Sequence, residues 1–457
     1  MAQAVSHCAA PAQRHQLSFW GLLVAAGLVQ LALYAYATAP GLAGTGDSRF
    51  YLHAAHTLRG AGHLLNPDGT PYRYWPPLYP LLLRGCGTLA GVRVLHGLCL
   101  LGSLLLWSWL GRQLLPARQA GILPWLLALS TPWLLVSKFV WAESGFLLLF
   151  GAYAVLLFQG LRTDRRRWWG AATAIGALLP LQRTLGLFLL AGVGAGLLIG
   201  EWPRLLPRRR WHLAVHLALS GAGGVLWQWY ALLLAGPSRY HPGRGWPPLL
   251  SSAADYGFVF GRWLLPLPTA GRTLLPDAGW AVVLVGLFGL LWPRRAPAAQ
   301  QPPDPNTPRL EVPDSPVTRA ASEAVDARKP AAALAQAGAE GFQNLPAHLL
   351  RRTLWSTTLV LVALVAGLTV FAQSAAGVHD AERYASVLFA PVVLLLLAAW
   401  PARAPRWLGQ VVVAAWLLAE AVRVGHVALD LRRVPPLAPG SFAGPGPHGQ
   451  RVGAAGE

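Results

Sequence analysis

LSFWGLLVAAGLVQLALYAYA, residues 17–37, carries no charged side chain from end to end. A helix of about 20 such residues, rising 1.5 Å at each, matches the hydrocarbon thickness of a bilayer. A helix also bonds all of its own backbone polar groups, which a lone segment in lipid must do. Arg14 precedes the run, and Ala37-Thr38-Ala39 at its end resembles a signal-peptidase site. The run exceeds the roughly 7–15 apolar residues of a signal peptide, and more apolar blocks follow it. It is therefore read as a retained first membrane span, 17–38.

Further apolar blocks lie at 94–111, 120–137, 140–160, 169–183, 184–200, 212–235, 278–292, 353–374, 384–400 and 407–427. Together they predict an all-α, polytopic transmembrane bundle of about eleven spans. The short pair 169–183 and 184–200 reads as a helical hairpin or as one kinked span. Composition agrees: 54% of the 457 residues are hydrophobic and only 12% are charged, about half the charged fraction of a soluble domain. The net charge of +19 would suit a nucleic-acid partner. Here, though, the basic residues sit in short loops between apolar blocks, where membrane proteins place them, so no nucleic-acid partner is expected. Cys8, Cys86 and Cys99 form no CxxC pair and indicate neither a zinc site nor a disulfide framework.

Arginine placement gives orientation. Arg112/Arg118, Arg162/Arg165/Arg166/Arg167, Arg204/Arg208/Arg209/Arg210, Arg294/Arg295 with Arg351/Arg352, and Arg403/Arg406 alternate so as to share one side. The positive-inside rule makes that side cytoplasmic, with the N-terminus inside and the chain in the cell inner (plasma) membrane. Residues 1–292 are then an N-terminal transmembrane region with two long outside loops, 40–93 and 236–277. The first loop holds an interfacial helix at 48–60 and a short apolar stretch at 78–90. Pro-rich and Ala-rich residues 293–347 read as a disordered cytoplasmic linker, 348–430 as C-terminal transmembrane helices, and 431–457 as a disordered tail.

With this topology the outer face collects Asp47, Glu143, Arg183, Asp380, Glu382 and Arg383. Ionisable groups near hydrocarbon need partners or a wet cavity, so their gathering suggests one polar site at the outer boundary. A carboxylate can accept the proton of an attacking hydroxyl, and arginines can hold a departing phosphate. That chemistry suits transfer of a sugar from an isoprenoid-phosphate donor, with the aromatic residues Tyr72, Trp75 and Tyr79 placed to contact a sugar. Each residue also has a plainer reading. Asp47 can cap the helix beginning near Ser48. Glu143 can pair with Lys138, Arg183 can snorkel to the interface, and Asp380, Glu382 and Arg383 can form a solvated turn. Tyr72 to Pro80 can be an interfacial aromatic belt. His53 and His56, three apart, are better read as a polar helix face than as metal ligands. No phosphate loop, G-x-S-x-G elbow or H-E-x-x-H occurs.

GDSRFYLHAAHTLRGAGHLLNPDGTPYRYWPPLYPLLL (46–83) closely resembles the first outside loop of bacterial polytopic glycosyltransferases of the GT-C superfamily, in the family 39, protein-mannosyltransferase-like and Rgt-like group. KFVWAESGFLLL (138–149), LQRTLGLFLL (181–190), WQWYALLLAGPSRYHPGRGWP (227–247) and DAERYASVLFAPVVLLLL (380–397) follow in the family's order. The resemblance implies inverting transfer of a sugar from a polyprenyl-phosphate donor to a lipid, glycan or protein hydroxyl on the outer face. It implies that Asp47 is the general base, that Glu143 shapes the site, and that Arg383 binds the donor phosphate. Many relatives carry a second acid beside the first-loop Asp; here Ser48 stands there, so no metal ligand is assigned and a divalent metal is left open. The rival reading is a non-enzymatic transporter, or flippase, of lipid-linked glycans, which would need no carboxylate at the head of the first loop. A scaffold without substrate is a third.

Overall fold

The computed structural model describes residues 10–201, 207–234, 245–264, 271–291, 347–376, 380–399 and 406–442. The linker expected over 293–347 falls almost wholly outside the described residues. The first span is α1 (Ala10–Ala37), and the long loop after it carries α2 (Gly46–Gly60) and α3 (Leu78–Cys86). Then follow α4 (Leu89–Leu114), α5 (Ala117–Ala128), α6 (Thr131–Lys138), α7 (Glu143–Thr163), α8 (Arg166–Gln182), α9 (Leu185–Glu201) and α10 (Pro207–Leu233). The rest are α11 (Trp246–Leu264), α12 (Asp277–Leu291), α13 (Ala347–Ala376), α14 (Ala381–Ala385), α15 (Phe389–Ala399) and α16 (Arg406–Arg433). The described chain is all-α, with two isolated bridges and no strand.

Seven stretches among the described residues are long and apolar enough to cross a membrane: Phe19–Ala37, Leu89–Leu114, Ala117–Lys138, Glu143–Thr163, Leu354–Ser374, Ala381–Ala399 and Gly409–Arg433. The protein is a multi-pass membrane protein. The other four spans expected from the sequence correspond to α8, α9, α10 and α12, which fall short of that mark in length or hydropathy. Of these, α8 and α9 are separate helices: Arg183 breaks between them with an extended backbone, φ −152° and ψ 140°.

The second long loop, 236–277, holds a helix: α11 packs along α12 and α13 and buries Tyr256, Phe260 and Trp263. Its apolar residues recur at helical spacing, a pattern hidden by the Trp and Pro that open it. The tail expected from 431 is ordered at its start. α16 runs to Arg433, and Leu437 N donates to Leu42 O at 2.8 Å. Gly41, at φ +125°, and Gly44 lie under Pro436 and Leu437 so closely that a side chain at either would collide with them.

The start of the first loop is fixed from the opposite side as well. Lys138, fully buried, donates its ammonium to Ala37 O (3.0 Å) and Gly41 O (2.8 Å). A cation on the last carbonyl of α1 satisfies a group that the helix cannot bond itself and meets the negative end of its dipole, while its bond to Gly41 O holds the chain just beyond. The chains leaving α1 and α6 then bridge in parallel, with Ala43 N donating to Lys138 O and Val140 N to Ala43 O, both at 3.0 Å. Asp47 and Glu143 each come four residues after the bridged residue on their own side, Ala43 and Phe139.

Candidate active site

Asp47 opens α2 without capping it. Thr45 is the N-cap residue, and its backbone N–H donates to Ser48 Oγ at 2.9 Å, the reciprocal half of a capping box. Thr45 Oγ1 also accepts from Trp141 Nε1 at 2.8 Å. With the cap supplied by Thr45 and Ser48, the Asp47 carboxylate is free to face Arg383, whose Nη1 donates to Asp47 Oδ2 at 2.7 Å.

Glu143 lies deeper and is wholly buried at the start of α7. Arg383 Nε and Arg183 Nη1 both converge on its Oε1. The expected alternative, a pair with Lys138, does not form, because Lys138 is committed to α1. Arg183 is carried to Glu143 by its neighbour: Gln182 Nε2 donates to Ala142 O at 2.9 Å. That bond requires the glycine at 145, where a Cβ would come within 2.7 Å of the Gln182 amide. The guanidiniums also lie on aromatic faces. Arg383 Cζ is 4.2 Å from the centre of the Trp141 ring, and Arg183 Cζ is 4.9 Å from that of Tyr384.

These groups open onto a cavity of about 250 Å³ lined by Asp47, Arg183 and Arg383, by Tyr51, Tyr74 and Trp75 of the first loop, and by Phe188, Thr369, Gln373 and Tyr384. The loop wall is packed around Trp75, with Phe50 (4.7 Å between ring centres), Tyr74 (5.7 Å) and Tyr51 (5.9 Å) against it. Burial lifts the Tyr51 phenol above its ordinary range, so it is neutral.

Four of the residues expected at the site, Asp47, Arg183, Arg383 and Trp75, line this cavity, and Glu143 anchors the two arginines beneath it. Asp380 stands beside it, 3.6 Å from Arg383 Nη1. The other three point elsewhere. Glu382 pairs with Arg262 of α11, because successive residues on a helix diverge by about 100° and Arg383 takes the cavity side. Tyr79 is buried in the loop core with its hydroxyl 2.9 Å from His96 Nε2. Tyr72 is buried behind Trp75, with no partner for its hydroxyl among the described residues. Sequence reading missed Trp141, Tyr384 and Gln373. Trp141 stands two residues before Glu143, Tyr384 follows Arg383, and Gln373 is a polar residue in an apolar span, the kind that membrane segments rarely keep without a role.

Asp47 Oδ2 and Glu143 Oε1 already face guanidiniums, Ser48 is spent on the helix cap, and no group of three or more His, Cys, Asp or Glu able to hold a metal occurs among the described residues. Burial, then the nearby His56 and Arg49, lower the pKa of His53.

Fold and cavity together define a polytopic helical membrane protein with a charged pocket at the ends of its helices. No family model matches the sequence, and no curated protein does. Among solved structures the chain is similar to ArnT from Cupriavidus metallidurans bound to undecaprenyl phosphate, with a TM-score of 0.54 and 14% identity over 93% of this chain and 78% of that one. The same protein in the apo state gives a TM-score of 0.51 and 15% identity, with the same coverage.

Proposed function

We propose that this protein is a membrane glycosyltransferase that moves a sugar from a polyprenyl-phosphate donor to a hydroxyl acceptor on the outer face of the cell inner membrane, by inversion. The observation that carries the reading is the pairing of Asp47 with Arg383 on the wall of a cavity that also holds Arg183. The undecaprenyl phosphate bound to ArnT supports a lipid phosphate as the ligand, and the sequence likeness to the family 39 group supports the reaction. The N-terminus then lies in the cytoplasm.

In this mechanism the donor phosphate enters between Arg183 and Arg383. Guanidiniums favour a phosphate, which accepts paired charge-assisted bonds. As Arg383 turns to the phosphate, Asp47 loses its cation and becomes a better proton acceptor. The acceptor hydroxyl oxygen attacks the anomeric carbon while its proton passes to Asp47. The bond from that carbon to the phosphate oxygen breaks, and its electron pair leaves on the phosphate, held by the arginines. Products are the glycoside and the polyprenyl phosphate. A phosphate is a good leaving group, so no strong general acid is needed at that oxygen.

Asp47→Asn tests this. Release of undecaprenyl phosphate from undecaprenyl-phosphate sugars should vanish, while binding of undecaprenyl phosphate to the purified variant persists. Unchanged turnover would remove the general-base role. Glycan movement across vesicles without sugar release, equal in both proteins, would favour a transporter.

A further inference from the structure

Gln373 is 4% exposed on α13, one turn beyond Thr369, and lines the cavity with it. Its amide nitrogen Nε2 is buried and has no hydrogen-bond partner among the described residues. Thr369 is different, because its hydroxyl is spent on its own helix, donating to Val365 O (2.8 Å) and Ala366 O (3.0 Å). A buried amide donor without an acceptor is costly in water-free surroundings. Of its neighbours on α13, Phe371 and Ala372 are apolar, and Ser374, though polar and buried, does not take up the amide N–H. An unpaired amide on a residue of the cavity wall is a binding group that a ligand can satisfy by a small side-chain turn.

The cavity narrows what that acceptor is. Its negative-charge ligands are already supplied, since Arg183 and Arg383 are the groups that fit a phosphate. Tyr74 and Trp75 supply aromatic surface of the kind that packs on the C–H face of a sugar. A neutral amide suits the hydroxyl edge of such a ring. We propose that Gln373 is a specificity-determining residue: its Nε2 donates to one ring hydroxyl of the sugar held between the first-loop aromatics and α13. The proposal rests on the transfer reading above. A site built to bond a hydroxyl rejects the analogue lacking it strongly, because the donor is left unpaired.

The test uses the full chain in lipid nanodiscs with a panel of undecaprenyl-phosphate hexoses and pentoses, and the monodeoxy analogues of the best donor. Released undecaprenyl phosphate is measured. On the native chain one deoxy analogue should show kcat/KM lower by about a hundredfold or more. Gln373→Leu should bring the parent sugar down to the level of that analogue and slow the analogue no further. Binding of sugar-free undecaprenyl phosphate should be unchanged, and thermal stability should not fall, since an unpaired buried donor has been removed. Should the leucine variant fail to fold, the same comparison is made with Gln373→Met. A variant that slows every analogue in equal proportion, slows none, or loses undecaprenyl phosphate binding overturns the assignment of Gln373 while leaving transfer intact. Absence of turnover from every donor by the native chain overturns the transfer reading itself, and this one with it.

Discussion

Arg383 donates to Asp47 across 336 positions of sequence, at 2.7 Å, and with its Nε reaches Glu143 as well. One planar guanidinium thus serves two carboxylates from two different connections, which an ammonium cannot do with the same geometry. Arg383→Lys should therefore keep the charge yet lose most activity, by about tenfold to a hundredfold in kcat/KM, since one of the two acids must go unbonded. Steady-state kinetics on the purified variant checks this. Activity within twofold of the native protein would mean that charge alone suffices.

Glu143 is the buried counter-ion of two arginines. Glu143→Gln leaves both guanidiniums without a full negative partner, and breaking a buried pair typically costs about 3–5 kcal/mol. The melting temperature should drop markedly, while affinity for undecaprenyl phosphate rises because its phosphate can supply the missing charge. Added lipid should then recover much of the lost stability. Equal affinity in both proteins would show that the arginines do not meet the phosphate.

Tyr79 and Trp75 separate support from contact. Tyr79→Phe removes a hydroxyl bonded to buried His96 and should cost about 1–3 kcal/mol of stability with kcat/KM nearly unchanged. Trp75→Ala should raise KM for the donor, because it strips the cavity wall. Thermal melts and kinetics on the pair decide it. The reverse pattern, with Tyr79 governing KM, would contradict the packing described.

Asp380 gives a pH dependence. Burial is the largest influence on its carboxyl and lifts it above the ordinary value of 3.8, against the downward pull of Arg383 and Arg183. The folded chain then holds this proton more tightly than the unfolded one. Its contribution to stability is present below the ordinary value and lost as pH rises through the raised one. Asp380→Asn, which cannot ionise, should melt higher than the native chain at neutral pH, with the gap closing as pH falls toward 3.8. A gap independent of pH would refute this.

Much of the architecture could be read directly from the chain. Long uncharged runs such as 17–37 admit only helices in lipid, and the charged residues left over at their ends had to meet partners. Asp47, Glu143, Arg183 and Arg383 were legible for that reason. Glu382 was not distinguishable from Arg383 by the same argument, because neighbouring residues share their depth in the membrane and differ only in which way the helix turns them. Tyr72 and Tyr79 looked like binding groups, since an aromatic at an interface and an aromatic in a loop core have the same composition. α11 was hidden by its opening Trp-Pro-Pro, and the hold of Leu437 on Leu42 by its distance along the chain.

That last contact has a bearing on biosynthesis. The strand of chain that pins the root of the first loop is translated some four hundred residues after it. On the ribosome, Asp47 is made early but waits for Arg383 and then for Leu437 before its surroundings are closed. A nascent or prematurely ended polypeptide would carry the carboxylate in a loosely held loop, without the partners that complete its surroundings.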